Sequence, residues 1–423
     1  MTTFQLIVAG VFVALVVVGV GVFAAFGGVG GGGSAGPVVV WGPVESAKIT
    51  NLLEQLRSTD NAFEQVTYIG RHPQTYERDL INAIAAGQGP DLFLVTQETL
   101  GVFADKILPI PYGSVSQSSY TSAFIDEAQL FLTPQGAYAL PVWVDPLLMY
   151  WNRDLLSSAG VGTPPALWND FLTLAPKITS LDASSNVARS AVSMGTWSNI
   201  KNAKQILSTL FMQSGDFVTS RGAEGAIVPT LGQEGTESAL RFYTEFGNPS
   251  KTTYSWNRSL PEALEAFAAG KVAVYFGFAG ELSVLSARNP NLPLGLSAMP
   301  QISQSGTRIT YGILTGVAVA RGSKNPAGAL AVSKGLSGPS ATLPVLQQLG
   351  VPPARRSLGL DTSGDAVLAT IVESALMSRG WLDPSKQETD DIFKVMIESV
   401  LSGRSTPAEA VGEAARSLQD LLL

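Results

Sequence analysis

The chain has 423 residues, 27 basic and 34 acidic, with a net charge of −7, one His and no Cys. That length exceeds what one ordinary core fills, so two lobes plus a targeting segment are expected. A 45% hydrophobic share excludes a disordered chain. The acidic balance argues against a nucleic-acid partner. The missing Cys excludes disulfides, a thiol nucleophile and Cys-bound metal, and one His leaves little for His-based catalysis. No cofactor is expected.

No charged residue precedes Glu45, and Leu6 to Phe26 holds nothing more polar than Gly. As a helix, this stretch would be about 32 Å long, enough to cross a bilayer core. Residues 1–26 therefore read as a transmembrane anchor or signal helix. The apolar run is longer than a usual signal h-region and no convincing A-x-A site follows, so an uncleaved anchor is preferred. Residues 27–37 read as a flexible Gly-rich linker. The uncharged flanks leave the orientation undetermined.

From Val38 the pattern alternates. Val38–Trp41 is a short apolar run closed by Gly42-Pro43 and reads as a strand. Ile49, Leu52, Leu53 and Leu56 mark one face of a helix. Val66–Ile69 is the next strand. Leu80, Ile81, Ile84 and Ala85 stripe a second helix, which stops at Gly87. Pro90–Val95 is a third strand. This spacing predicts βαβ units with a parallel sheet, and ligands of such sheets sit beyond the strands' carboxyl ends. Those ends are Trp41–Pro43 and Thr96-Gln97. Tyr138–Asp154 reads as two strands broken at Asp145-Pro146, because Pro cannot donate in a ladder; a crossing between lobes would have this form. Pro164–Phe171 opens a helix, and another runs from Pro261 to Ala269. Val272–Phe276 and Gly312–Val319 are strands. Thr406-Pro407-Ala408-Glu409 is a capping box ahead of the last helix.

Several of these segments together resemble a known family. They are Tyr76–Gly87 with Pro90-Asp91, Tyr138–Pro141, Met149–Leu155, Pro164-Pro165 with Trp168–Phe171, Ala266–Val274 and Val351–Arg355. In order and spacing they are similar to the maltose-binding-like family 1 of extracellular solute-binding proteins of ABC importers. The resemblance implies a two-lobed α/β fold of the periplasmic-binding-protein type II class. Lobe 1 would comprise 37–143 plus 309–355, and lobe 2 144–308 plus 356–423. A ligand would bind between them by hinge closure. The implied partners are a carbohydrate and ABC permease subunits, with ATP hydrolysed by a separate chain. The implied place is outside the cytoplasmic membrane, held there by the N-terminal helix because no lipidated Cys is present.

A sugar presents C–H faces and a rim of hydroxyls, so its site needs aromatic planes and polar side chains. On that basis the candidate ligand-binding residues are Trp41, Thr96, Trp143, Trp197, Trp256 and Trp381. The resemblance adds Asp145, which aligns with an acidic sugar-binding position, and the region of Phe278 and Glu281, where relatives place a stacking aromatic. Each has a plainer reading: Asp145 as a turn carboxylate, the tryptophans as core, Ser198 and Asn199 as helix caps. Trp151 and Trp168 read as core and His72 as a solvated loop residue. Two other functions stand beside sugar binding. One is a different polar solute, such as a glycerol phosphate, for which Arg355-Arg356 is the only adjacent basic pair. The other is a glycosidase using Asp145 and Glu281, which would need a set carboxylate spacing.

Overall fold

The computed structural model describes residues 34–422 except 223, 224, 233 and 360. The expected membrane helix and most of the linker lie outside the described residues. Among the described residues, no helix is long and apolar enough to cross a membrane.

Strands β1 (Val38–Gly42), β2 (Val66–Gly70) and β3 (Leu92–Thr96) form the predicted parallel unit, with β1 between the other two. Helix α1 (Ser46–Arg57) buries Ile49, Leu52, Leu53 and Leu56, the four positions its period marked. Helix α2 (Tyr76–Ala85) follows β2 and ends just before Gly87, whose φ of 68° only glycine adopts cheaply.

One strand overturns the sequence expectation. Leu140–Asn152 is a single thirteen-residue strand, β4, running unbroken through Asp145-Pro146. It changes neighbours at that point. Residues 140–146 pair with Thr310–Val319, and residues 147–152 pair with Val272–Phe278 and Leu294–Ala298. Pro146 is tolerated because it stands where one partner ends and the next begins, so its missing N–H interrupts neither ladder.

The remaining strands of this sheet are β5 (Ser180–Leu181), β6 (Val187–Val192), β7 (Val272–Phe278), β8 (Leu294–Ala298), β9 (Thr310–Val319) and β10 (Ser378–Arg379). Their order is β2-β1-β3-β9-β4-β7-β6-β5, with β8 added to β4 and β10 to β9. The long strands β4 and β9 thus join two sets of elements, and each set has its own core. One core is built from residues 38–144 and 314–354, joined by Ala375 and Leu382. The other takes residues 147–299 with Tyr311, Ile371, Trp381 and the C-terminal helices. The second core is rich in aromatic contacts, with the Trp168, Phe171 and Phe276 rings 5.3–5.9 Å apart.

The second set carries helices α3 (Asp170–Ile178), α4 (Ala203–Gln213), α5 (Ala263–Ala268), α6 (Glu281–Arg288), α7 (Lys386–Leu401) and α8 (Pro407–Leu421). At α8 both halves of the predicted capping box are made. The Thr406 hydroxyl accepts from the Glu409 amide at 3.3 Å, and the Glu409 carboxylate accepts from the Thr406 amide at 2.8 Å.

Candidate ligand-binding site

A cavity of about 630 Å³ opens between the two sets of elements. Its first wall is α2 and the loop before it, presenting Gln74, Glu77, Arg78 and Asn82. Its second wall is the start of α7, presenting Lys386, Gln387, Asp390 and Asp391. No aromatic ring lines it.

Behind this cavity, a charge network joins the two walls. Glu98, two residues past the carboxyl end of β3, is buried. Its Oε1 accepts from Gln205 Nε2 on α4 and from the Tyr311 hydroxyl on β9, each at 3.0 Å. Its Oε2 lies 3.4 Å from Lys386 Nζ. Lys386 also reaches Asp390 at 3.5 Å, one turn along α7. Asp390 in turn lies 2.5 Å from Lys204 Nζ, which is 2.9 Å from both Asp383 and Thr389. Burial alone would raise the Glu98 carboxyl, but Lys386, Lys204 and the two donors outweigh it and hold it below its ordinary value. Lys386 is raised: burial opposes its charge, and Glu98 and Asp390 more than restore it. Glu77 makes none of these bonds. Burial raises its carboxyl, with Lys386 opposing and Asp383 and Glu98 adding to the rise. It is therefore a free acceptor beside the cavity.

A second polar cluster sits at the strand crossing. Asp145 Oδ1 accepts from the Gly280 amide at 3.1 Å, just before α6. Burial pushes the Asp145 carboxyl up to about 7; the Gly280 amide lowers it and the Glu281 charge adds to the rise. Glu281 accepts from the Tyr275 hydroxyl at 2.6 Å and lies 3.5 Å from Lys201 Nζ. The Tyr150 hydroxyl donates to the Phe278 carbonyl at 2.7 Å. The structure therefore brings Asp145, Phe278 and Glu281 together. Phe278 and Glu281 are 7% and 8% exposed.

The expected tryptophans are dispersed. Trp256 is fully buried, with its indole N–H donating to Asn199 at 3.0 Å. Trp381 is 1% exposed; its indole donates to Ser208 at 3.2 Å and its ring lies parallel to Phe393. Trp143 packs in the first core near Ile49, Leu53 and Leu336. The expectation that Trp256 and Trp381 stack on a ligand is corrected: their rings and their bonded indole N–H groups are spent inside the fold. Trp41 is buried at the end of β1, and the Arg71 guanidinium lies 3.8 Å from its ring centroid. Trp197 is half-buried against the second core, and Thr96 is half-buried beside Thr99. Asn199 caps no helix. It holds the 257–261 loop by donating to the carbonyls of Asn257 and Leu260.

Sequence reasoning missed Glu77, Glu98, Lys386 and Asp390. The rule that singled out Thr96 reaches Glu98 two residues on. Nothing local joins Glu77 or Glu98 to Lys386, which lies about 300 positions later.

The model of the bacterial extracellular solute-binding protein family matches residues 54–341. The chain belongs to this family. As a solute-binding protein it is a member of a group that binds substrates rather than transforming them. It is 23% identical over 358 residues to a binding protein of Brucella abortus (strain 2308), spanning 81% of this chain and 82% of that one. Among solved structures it is similar to a cyclo/maltodextrin-binding protein complexed with maltotetraose, with a TM-score of 0.74 and 17% identity over 93% of this chain and 98% of that one. It is also similar to an ABC transporter solute-binding protein from Thermotoga lettingae TMO bound with α-D-tagatose, with a TM-score of 0.70 and 18% identity over 92% of this chain and all of that one. These likenesses establish the two-lobed α/β fold that the sequence resemblance implied.

Proposed function

We propose that this solute-binding protein is the extracytoplasmic receptor of an ABC importer and that it captures a carbohydrate between its lobes. The observation that carries this reading is the cavity between α2 and α7, walled by carboxylates and amides from both sides. Such walls satisfy a rim of hydroxyls, and closing them over a sugar excludes the water that competes for the same bonds. The sugars bound by structural neighbours support the class of ligand. In this reading Glu77, Asn82, Gln387 and Asp390 hold hydroxyls. Thr96, Asp145, Trp197, Phe278 and Glu281, with Trp41 once Arg71 is displaced, line the deeper cleft.

The lobes would be 37–143 with 309–355, and 144–308 with 356–423, hinged where β4 and β9 cross. Permease subunits and a separate ATPase would take up the cargo. Residues 6–26 would hold the receptor at the outer face of the membrane. A phosphate-bearing ligand fits less well. Arg355 donates to the Ser337 carbonyl, Arg356 pairs with Asp126, and Lys386 is shared between two carboxylates. Titration calorimetry with glucose, tagatose, maltose and maltotetraose tests the reading. Heat from a sugar at micromolar concentration, abolished in Glu77→Gln, is expected. Binding of glycerol 3-phosphate with no response to any sugar would overturn it.

A further inference from the structure

The cavity between α2 and α7 carries more negative charge than its own cations cover. Two cations line it, Arg78 and Lys386. Arg78 lies 3.4 Å from Asp79, the next residue along α2. Lys386 is divided between Glu98 and Asp390, at 3.4 and 3.5 Å. Asp390 has a second cation, Lys204, at 2.5 Å. Two further carboxylates line the cavity, Glu77 on α2 and Asp391 on α7. Neither makes an ion pair or a side-chain hydrogen bond among the described residues. Arg71, on the loop before α2, lies over the Trp41 ring instead of lining the cavity. These two uncovered acids belong to different cores. Tyr76 and Leu80 root α2 in the first, and Phe393, Met396 and Ile397 root α7 in the second.

We propose that the carbohydrate taken by this cavity is an amino sugar, whose ammonium group is held between Glu77 and Asp391. The inference rests on the carbohydrate reading above and names the class of sugar. A hydroxyl donates one hydrogen bond to a carboxylate and leaves its charge in place. An ammonium donates three and cancels the charge. The difference grows when closure expels water from between the walls, because two like charges then repel through a weaker dielectric. With a neutral sugar, Glu77 and Asp391 oppose closure. With a sugar ammonium between them, the same pair attracts it. No aromatic ring lines this cavity, so recognition there falls to charge and hydrogen bonds. Asn82 and Gln387, one on each wall, remain for neighbouring hydroxyls. The same walls repel an acidic sugar, and an N-acetylated one brings no charge to them. The state of Glu77 agrees with this reading. Burial raises its carboxyl; Lys386 opposes the rise, and Asp383 and Glu98 add to it. A cation brought in by the ligand reverses part of that rise.

Titration calorimetry on the full-length chain tests this with paired sugars. Glucosamine is compared with glucose, and the glucosamine dimer of chitosan with cellobiose. Each pair differs only by an amine in place of one hydroxyl per ring. The titrations are run at low ionic strength and about pH 6.5, where such an amine is protonated. The amines should bind about tenfold tighter than their hydroxyl counterparts, or more. Added salt should shrink that advantage. Glu77→Gln should remove most of it and Asp391→Asn a smaller part. Amines that bind no better than their counterparts, or not at all, overturn the amino-sugar proposal; a neutral sugar that binds meanwhile keeps the carbohydrate reading. An advantage that both variants retain also overturns the proposal, because the ammonium then sits elsewhere. Binding of spermidine with silence toward every sugar overturns both readings. If Glu77→Gln does not fold, Asp391→Asn, at an exposed position of α7, decides: an advantage it leaves whole overturns the proposal.

Discussion

Glu98 and Glu127 are both buried acids close to the lobe crossing, and they have opposite electrostatics. Glu98 has two hydrogen-bond donors and a lysine. Among the described residues Glu127 has no hydrogen-bond donor. Its neighbours lower the Glu98 carboxyl, while burial raises that of Glu127 to about 8. Burial alone therefore says nothing about charge state; the partners decide it. The contrast assigns different work to the two residues. Glu98 is a fixed charge that ties one wall of the cleft to the other, whereas Glu127, without such partners, favours its protonated form.

The strongest way to break the compensated side of this comparison is to remove its buried cation. Lys204 is 2% exposed in its side chain, and its partner Asp383 is fully buried. Lys204→Met leaves Asp383 without its cation and Asp390 without its closest one. Unfolding in urea should show a loss of about 3–5 kcal/mol. The next effect is smaller. Glu98→Gln keeps the shape but discards the charge facing Lys386, and should cost about 2 kcal/mol in the same measurement. Calorimetry on that variant should also show weakened sugar binding, because Lys386, left with Asp390 alone, is then held less firmly at the cavity wall.

The local pattern gave away most of the fold but little of the cleft. The α1 stripe and the alternation through β3 rest on contacts within a few dozen residues, so periodicity exposes them. The capping box at Thr406 is legible for the same reason. Pro146 misled because its effect depends on which strand stands opposite, a fact of topology. Trp256 and Trp381 misled because an indole suits a core as well as a sugar, and only their partners Asn199 and Ser208 tell the two apart. The Glu98–Lys386 contact is a meeting of distant segments, and no spacing rule reaches it.

The uncompensated side predicts a pH effect of opposite sign. The Glu127 carboxyl is raised in the folded protein, so the folded state holds a proton that the unfolded state has released between about pH 4.3 and about pH 8. Its contribution to stability is complete at the bottom of that window and is lost as pH rises through the top. Glu98 contributes above its unfolded value and loses that contribution as pH falls through its lowered folded value. Melting temperatures should therefore show Glu127→Gln gaining on wild type as pH rises from 6 to 9, by about 1 °C for each kcal/mol recovered in a chain of this length.

The smallest effect tests whether Arg379 sets the position of that window. Its guanidinium lies 2.6 Å from Asp126, and its charge opposes the rise of the Glu127 carboxyl. The Asp126 pair is half-exposed, so Arg379→Met should cost no more than about 1 kcal/mol near pH 6, where Glu127 is neutral and indifferent to the charge. With the cation gone, the Glu127 carboxyl rises further. The alkaline end of the stability loss should then move upward by a fraction of a pH unit in melting curves. The same substitution made on the Glu127→Gln background should leave the pH profile where it was. If the double variant shifts as much as the single one, Arg379 acts through Asp126 and Arg356 alone, and the contrast between the two buried acids no longer depends on it.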